Sequence, residues 1–149
     1  MGSLNTHNFH ILMVDDDPDD SIFFTYAMAA LPPDYRLSLQ NDSSKLTEVL
    51  EKEIPNIIFL DLNMPSKDGK ECLKEIRARK EFDEIPVVIY STSSNKNEIN
   101  ECLKNGANSY VVKPASINGI TKMIEEVCND NWIHAHLAAP QKDFVLKFD

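Results

Sequence analysis

Cysteine is scarce in this chain of 149 residues, and the three cysteines lie far apart. Cys72, Cys102 and Cys128 form no pair at the two-residue spacing of a redox or zinc motif. An odd, scattered set is typical of reduced thiols that pack on helix faces. The sequence therefore argues against a disulfide-stabilised module.

Long apolar runs are also lacking. No stretch approaches the ~18 apolar residues of a membrane-spanning helix. Residues 1–10 are polar and have no apolar centre of a signal peptide. We therefore expect a cytoplasmic protein that does not associate with a membrane.

Basic residues are outnumbered, with 15 Lys and Arg against 24 Asp and Glu and a formal net charge of −9. A domain that binds nucleic acid usually carries a basic patch and the opposite balance. We therefore expect no direct contact with DNA or RNA.

Hydrophobic residues, by contrast, make up 42% of the chain, which suits one domain with one sizeable core. Short apolar runs that end at turn signals are typical of buried parallel strands. Strand patterns occupy 9–14, 35–40, 57–60, 86–90 and 109–112, and helix patterns occupy 18–30, 43–51, 69–79, 95–105 and 117–128. Five alternations predict an α/β fold, with a parallel sheet and helices on both faces.

The two ends of this pattern carry specific predictions. In the first helix, Ile22, Phe23, Tyr26 and Ala27 are spaced as one apolar face, which we expect to be buried. Residues 132–139 extend the last helix, and residues 140–149 form a tail. The apolar part of that tail either packs on its own domain or forms an arm for a dimer or another partner.

Polar side chains follow four of the predicted strands at the edge where function collects in open α/β sheets. Asp15 and Asp16 follow the first strand and Asp61 the third, Ser91 and Thr92 end the fourth, and Lys113 ends the fifth. Neighbouring parallel strands lie about 5 Å apart, so these groups can converge in one pocket.

Clustered carboxylates repel each other, and a hard cation such as Mg²⁺ relieves that repulsion. A metal and Lys113 beside Asp61 would keep it ionised and nucleophilic, and would neutralise a transferred phosphoryl group. A hydroxyl from Ser91 could hydrogen-bond a phosphoryl oxygen. The product would be an aspartyl phosphate.

Each group has an ordinary explanation when it is taken alone. The acidic run 15–20 is typical of a solvated helix start, and 91–94 of a capping loop. Lys113 could be a surface lysine. Only their conjunction at successive strand ends favours a functional site.

Four motifs, taken together, are similar to those of a bacterial response-regulator receiver domain. They are Ile11–Asp16, Leu60–Pro65 with Gly69, Val88–Ser91 and Tyr110–Pro114. The resemblance covers residues 9–128. It implies a flavodoxin-like, doubly wound sheet of strand order 2-1-3-4-5, as in the chemotaxis regulators of this family.

The resemblance also implies roles at matching positions. Asp61 would accept the phosphoryl group, and Lys113 would pair with it. Asp15, Asp16, Asp61 and the backbone carbonyl of Asn63 would hold Mg²⁺ or Mn²⁺. Ser91 and Tyr110 would form the switch, although Tyr110 could also be only a half-buried edge aromatic.

One position departs from the commonest family pattern. Thr92 follows the switch hydroxyl, where the family usually has Ala or Gly. A bulkier residue there could restrict access to the phosphoryl group and slow its loss. Ser91 is also less common than Thr at its own position.

The domain limits predicted from the resemblance are a receiver at 9–130 and an extension at 131–149, with no output domain. Expected partners are a sensor histidine kinase or phosphotransfer protein and an unknown downstream protein, with a homodimer as a further option. The resemblance includes regulators paired with phytochromes or hybrid kinases. It implies a phosphorelay signalling protein that assists its own phosphorylation and dephosphorylation, not a metabolic enzyme.

Three alternatives stay open at this point. A haloacid-dehalogenase-type phosphatase also uses an aspartate nucleophile, but it needs a second aspartate where this chain has Asn63. A flavodoxin-like FMN binder shares the topology, but no phosphate loop follows the first strand. A degenerate receiver would serve only as a binding scaffold, and the complete acidic and lysine set argues against it.

Overall fold

The computed structural model describes residues 8–148. The interpretation of the polar start falls mostly on residues 1–7, which lie outside that range. Among the described residues, no helix is long and apolar enough to cross a membrane.

The sheet has six parallel strands in the order β2-β1-β3-β4-β5-β6. The strands are β1 Phe9–Val14, β2 Tyr35–Gln40, β3 Ile57–Leu60, β4 Val87–Ser91, β5 Ser109–Val112 and β6 Val145–Lys147. The predicted α/β class and the order of the first five strands are confirmed. The sixth strand was not predicted, because it lies in the segment interpreted as a tail.

Helices cover both faces of the sheet. They are α1 Pro18–Met28, α2 Leu46–Lys52, α3 Gly69–Arg77, α4 Lys96–Lys104, α5 Ile117–Val127 and α6 Asp130–Ala138. One apolar cluster joins α2, α3 and α4 to the sheet, and a second joins α1, α5 and α6 to the other face. Each sheet face is therefore closed by its own half of the core.

Side chains at the helix starts explain where the helices begin. Asp17, Asp68, Asn95 and Ser116 each accept a hydrogen bond from a backbone N–H in the first turn of the helix that follows. Such capping satisfies donors that have no partner within the helix. At the end of α4, Gly106 has φ +104°, which an L side chain rarely adopts.

The predicted inner face of α1 is wrong except at Ala27. Phe24 and Ala27 face the core, whereas Ile22, Phe23 and Tyr26 are exposed by 47%, 45% and 61%. Three consecutive apolar residues, 22–24, place hydrophobic side chains on more than one side of the helix. Spacing alone therefore did not identify the buried side. The helix also ends at Met28, before the expected Ala30.

The predicted C-terminal segment also needs correction. Residues 130–138 form a separate helix that Asn129 caps, and not an extension of α5. After a turn in which Asp143 adopts φ 54°, β6 pairs with β5. Phe144 is buried, and Leu146 and Phe148 pack on the α5 side of the sheet. Of the two alternatives for the tail, the structure has packing on its own domain.

Candidate functional site

The strand register brings the predicted site residues to one edge of the sheet. Val14 pairs with Leu60, and Leu60 with Ile89, so the residues after β1 and β3 lie level with the end of β4. The backbone N–H of Asp61 donates to the Val14 carbonyl at 3.0 Å. Asp61 therefore leaves the sheet in a fixed position between its neighbours.

Close packing of α3 against this turn also fixes Asp61. The Gly69 N–H donates to the Leu62 carbonyl at 2.8 Å. A Cβ at Gly69 would lie only 2.2 Å from the backbone oxygen of Asp61. Only glycine fits there without moving the backbone that carries the carboxylate.

Asp15, Asp16 and Asp61 form an acidic cluster. Each offers a carboxylate oxygen, and these oxygens lie within 4.8 Å of one another. Asp15 and Asp61 are 2% and 6% exposed, and Asp16 is half-buried. Burial of repelling carboxylates is unfavourable unless cations compensate for their charge.

The pKa values reflect this burial. Loss of water around Asp15 raises its pKa to about 6, although the Asp17 N–H and Lys113 oppose the shift. Burial also raises the pKa of Asp61, against the stabilising charge of Lys113 and the Asn63 N–H. In the absence of a metal, Asp15 and Asp61 therefore hold a proton more readily than exposed aspartates do.

Lys113 places its ammonium among these carboxylates. Its Nζ lies 3.2 Å from Asp15 Oδ2 and 3.5 Å from Asp61 Oδ1. Burial alone would lower the pKa of Lys113, but the hydrogen bond to Asp20 and the charges of Asp15 and Asp61 raise it above its ordinary value. Lys113 is therefore a permanent cation at the site.

Asp20 is the site residue that the sequence interpretation missed. Its Oδ2 lies 2.6 Å from Lys113 Nζ, the shortest of the three contacts. The available signal was its place in the first turn of α1, within the same acidic run as Asp15 and Asp16. Only Asp15 and Asp16 of that run were assigned to the site, and the rest of the run was interpreted as a solvated helix start.

A pocket of about 460 Å³ opens over Asp16, Asp20, Asp61 and Lys113, and its lining is completed by Asp17, Asn63 and Thr92. Thr92 is exposed at the rim. Asn63 borders the pocket beside Asp61, and its carbonyl stays a predicted metal ligand.

Ser91 and Tyr110 lie behind the pocket and not in it. Ser91 is fully buried, and its Oγ accepts a hydrogen bond from the Ser93 N–H at 3.1 Å. Tyr110 is fully buried too, not half-buried at an edge, and its hydroxyl donates to the Ser93 carbonyl at 2.8 Å. Both side chains therefore meet at Ser93, in the loop between β4 and α4.

The donor set of the acidic cluster fits a hard divalent cation. All three side chains offer oxygen, the ligand that Mg²⁺, Mn²⁺ and Ca²⁺ prefer. A small cation bound by one or two carboxylates keeps its remaining positions for water or phosphate oxygens. The residues present therefore fit the predicted divalent cation.

The sequence profile of the family described as "Response regulator receiver domain" matches residues 11–125. The chain belongs to this family. The predicted family is thereby confirmed, and the two alternative families, phosphatase and FMN binder, are set aside.

Among its relatives is response regulator Rcp1 of Synechocystis sp., which is 30% identical over 124 residues, 78% of this chain and 84% of Rcp1. A chemotaxis protein CheY homolog of Campylobacter jejuni is 27% identical and covers 78% of this chain and 90% of its own length.

Solved receiver structures share the fold. The Mn²⁺-bound form of Rcp1 aligns with a TM-score of 0.69 at 30% identity, over 79% of this chain and 90% of that one. The phosphorylated cyanobacterial phytochrome response regulator RcpA aligns with a TM-score of 0.73 at 30% identity, over 81% and 94% of the two chains. The receiver match ends before α6 and β6, so these two elements lie outside the part that defines the family.

Proposed function

We propose that this receiver domain is a phosphorylation switch of a two-component phosphorelay, in which Asp61 accepts the phosphoryl group. The observation that carries the proposal is the meeting of Asp15, Asp16 and Lys113 around a buried Asp61 at the carboxyl edge of the sheet. In an ordinary surface loop, such a set of charges would be solvated and spread apart.

The chemistry is the transfer of one phosphoryl group from a phosphohistidine to the Asp61 carboxylate. An Asp61 carboxylate oxygen attacks the phosphorus of a phosphohistidine, and an O–P bond forms as the donor's N–P bond breaks. The electron pair of the broken bond stays on the donor imidazole, which takes up a proton. Lys113 lies close enough to Asp61 to neutralise charge on the incoming phosphoryl oxygens.

Mg²⁺, held by Asp15, Asp16, Asp61 and the Asn63 carbonyl, would supply further neutralisation of phosphoryl charge when it is bound. The Mn²⁺-bound form described for Rcp1 and the phosphorylated form described for RcpA support this proposal. Mn²⁺ would serve in the same role.

We assign the switch to Ser91 and Tyr110. A phosphoryl group on Asp61 offers its oxygens as acceptors to the Ser91 hydroxyl, whose oxygen accepts from the Ser93 N–H. Since Tyr110 holds the Ser93 carbonyl, a shift of that loop reaches β5. Thr92, at the pocket rim, limits the approach of water and so lengthens the life of the phosphoryl group.

The phosphoryl donor would approach over the exposed apolar side of α1. Phe23 lines a cavity of about 310 Å³ with Pro114, Ile117 and Ile120, next to Lys113. An exposed apolar patch beside a charged pocket is typical of a protein interface. A sensor histidine kinase or phosphotransfer protein is the partner that fits.

We also propose domain limits, a cellular location and a mode of action for this protein. The receiver unit spans residues 9–130, and residues 131–149 are a C-terminal extension. The protein acts in the cytoplasm, where it changes its affinity for a downstream protein or for a second copy of itself. Its activity is confined to its own phosphorylation and dephosphorylation.

A phosphotransfer assay tests the proposal. Purified histidine kinases, each phosphorylated with labelled ATP, are mixed with wild type and with Asp61→Asn in the presence of Mg²⁺. We expect at least one kinase to pass its label to wild type and none to Asp61→Asn. Equal labelling of both proteins contradicts the proposal.

A further inference from the structure

The C-terminal strand β6 occupies the edge of β5, the strand that carries Tyr110. The Tyr110 N–H donates to the Phe144 carbonyl at 2.8 Å, and the Ser109 hydroxyl donates to the same oxygen at 2.8 Å. The register continues with Tyr110 opposite Val145. The tail is thus bonded to the backbone of the predicted switch residue.

Phe144 anchors this segment in the core. It is 6% exposed and belongs to the same apolar cluster as Tyr110 and Cys102 of α4. Leu146 and Phe148 pack against the opposite cluster, on the α5 side. Residues 144–148 therefore run along the edge of β5, with Phe144 packed on one face of the sheet and Leu146 and Phe148 packed on the other.

Tyr110 links this segment to the phosphorylation pocket. Its backbone holds Phe144, and its hydroxyl holds the Ser93 carbonyl in the β4–α4 loop. The Ser93 N–H in turn holds Ser91 Oγ, and Thr92 between them lines the pocket. Three hydrogen bonds, linked through Tyr110 and Ser93, thus connect the tail to Ser91 behind the pocket and to the loop that carries Thr92 at its rim.

We propose that residues 144–148 are a positioning segment, which fixes Tyr110 inward and thereby preorganises the Ser91–Ser93 loop for the phosphoryl group on Asp61. This inference rests on the proposed function. The segment lies outside the residues 11–125 that match the receiver family, so it is a property of this chain's extension.

The physical reason is the entropy of the loop. A loop that must be ordered when a ligand binds weakens binding, and contacts that order it beforehand remove that loss. Because coupling between two sites is reciprocal, a ligand at Asp61 must also strengthen the hold of β6 on Tyr110. Loss of the tail contact should therefore weaken ligand binding at Asp61, and ligand binding at Asp61 should stabilise the backbone of Tyr110.

The first test uses beryllofluoride with Mg²⁺ as a phosphoryl mimic, measured by calorimetry on the full chain. We expect Phe144→Ala to weaken the binding of beryllofluoride several-fold and to leave the affinity for Mg²⁺ alone unchanged. Phe9→Ala is the matched control, since Phe9 is a similarly buried phenylalanine that packs near Tyr35 in the other apolar cluster, outside residues 144–148. Equal beryllofluoride affinity in wild type and Phe144→Ala overturns the proposal.

A second measurement needs no variant that loses core packing. In wild type, saturating beryllofluoride should slow hydrogen exchange at the Tyr110 amide, and Tyr110→Phe should abolish the slowing because it lacks the bond to Ser93. An exchange rate in wild type that beryllofluoride leaves unchanged overturns the proposal, even if Phe144→Ala does not fold.

The outcomes separate this proposal from the function it rests on. If wild type neither binds beryllofluoride nor accepts a phosphoryl group, the proposed function fails. If wild type does both and the tail has no influence on either measurement, only the role of residues 144–148 fails.

Discussion

Lys113 lies closer to Asp20 than to Asp61, with Nζ at 2.6 Å from Asp20 Oδ2 and 3.5 Å from Asp61 Oδ1. The ammonium that should pair with a phosphoryl group on Asp61 is therefore shared with a second acid. Any movement of Lys113 toward the phosphoryl group has to weaken the contact with Asp20. This competition is a property of the unphosphorylated protein.

Removal of the competing acid should favour the phosphorylated form. We expect Asp20→Asn to bind beryllofluoride more tightly by roughly fivefold, the equivalent of about 1 kcal/mol for one partly exposed ion pair. Asp19→Asn removes the same charge from the exposed side of α1 without a contact to Lys113. If both variants gain the same affinity for beryllofluoride, the gain comes from the change in net charge, and the proposed competition of Asp20 for Lys113 is refuted.

Burial of Asp15 should lower the stability of the metal-free protein as the pH rises. Its pKa of about 6 in the folded state lies above the ordinary value of 3.8, so the folded state binds the proton more tightly. Stability from this group is therefore complete below about pH 4 and is lost as the pH rises through 6.

Asp15→Asn should remove that loss. In EDTA at pH 8, we expect its free energy of unfolding in urea to exceed that of wild type by about 1–2 kcal/mol, less than the full shift implies because the amide attracts Lys113 less. At pH 4 the gain should vanish. Asp83→Asn, at an exposed position, should show no such pH dependence, and a gain for Asp15→Asn that is equal at both pH values contradicts the account.

Thr92 should control the lifetime of the phosphoryl group through its bulk. We expect Thr92→Ala to lose phosphate about threefold to tenfold faster, a change of roughly 1 kcal/mol in the barrier to hydrolysis. Thr92→Val keeps the size of the side chain and should keep the slow rate. If Val behaves as Ala does, the hydroxyl and not the bulk sets the lifetime.

The site could be predicted largely because it lies where strands end. The apolar runs before Asp15, Asp61 and Lys113 fixed the strand ends, and a parallel sheet brings such ends to one edge. The contact of Asp20 with Lys113 was not predicted, because it depends on how α1 is rotated about its axis, and the positions of charged residues in the sequence do not determine that rotation. The same uncertainty about the rotation of α1 led to the wrong prediction of its inner face, because residues 22–24 place apolar side chains on more than one side of the helix.

The tail was less predictable for a different reason. A strand of three residues, Val145–Lys147, is too short to show alternation, and it forms only because the edge of β5 offers partners. The turn that feeds it needs Asp143 at φ 54°, a conformation that its sequence does not demand. Local pattern could not identify an element that depends on tertiary contacts.

Arg77 should be the basic residue whose loss costs most stability outside the site. Its guanidinium donates to the carbonyls of Gly106, Phe82 and Ile85 and to Asn108 Oδ1, at 2.8–3.0 Å. We expect Arg77→Ala to lose about 3 kcal/mol or more in urea unfolding, since partly buried acceptors lose their donor. Arg77→Lys should recover little, because one ammonium cannot span the same acceptors.

Arg79→Ala is the matched control for Arg77. Arg79 pairs with Glu51 and Glu81 on the surface, where ion pairs contribute little. Its loss should be much smaller than that of Arg77→Ala. Equal losses from the two variants would show that charge, and not the buried hydrogen bonds, explains the effect.

The central claim is that Asp61 itself carries the phosphoryl group. The most direct measurement is the intact mass of the protein after incubation with acetyl phosphate and Mg²⁺, with peptide mapping of the modified residue. Wild type should gain one phosphoryl group on Asp61, EDTA should prevent the gain, and Asp61→Asn should stay unmodified. A phosphoryl group on another residue of wild type, or full modification of Asp61→Asn, would contradict the account.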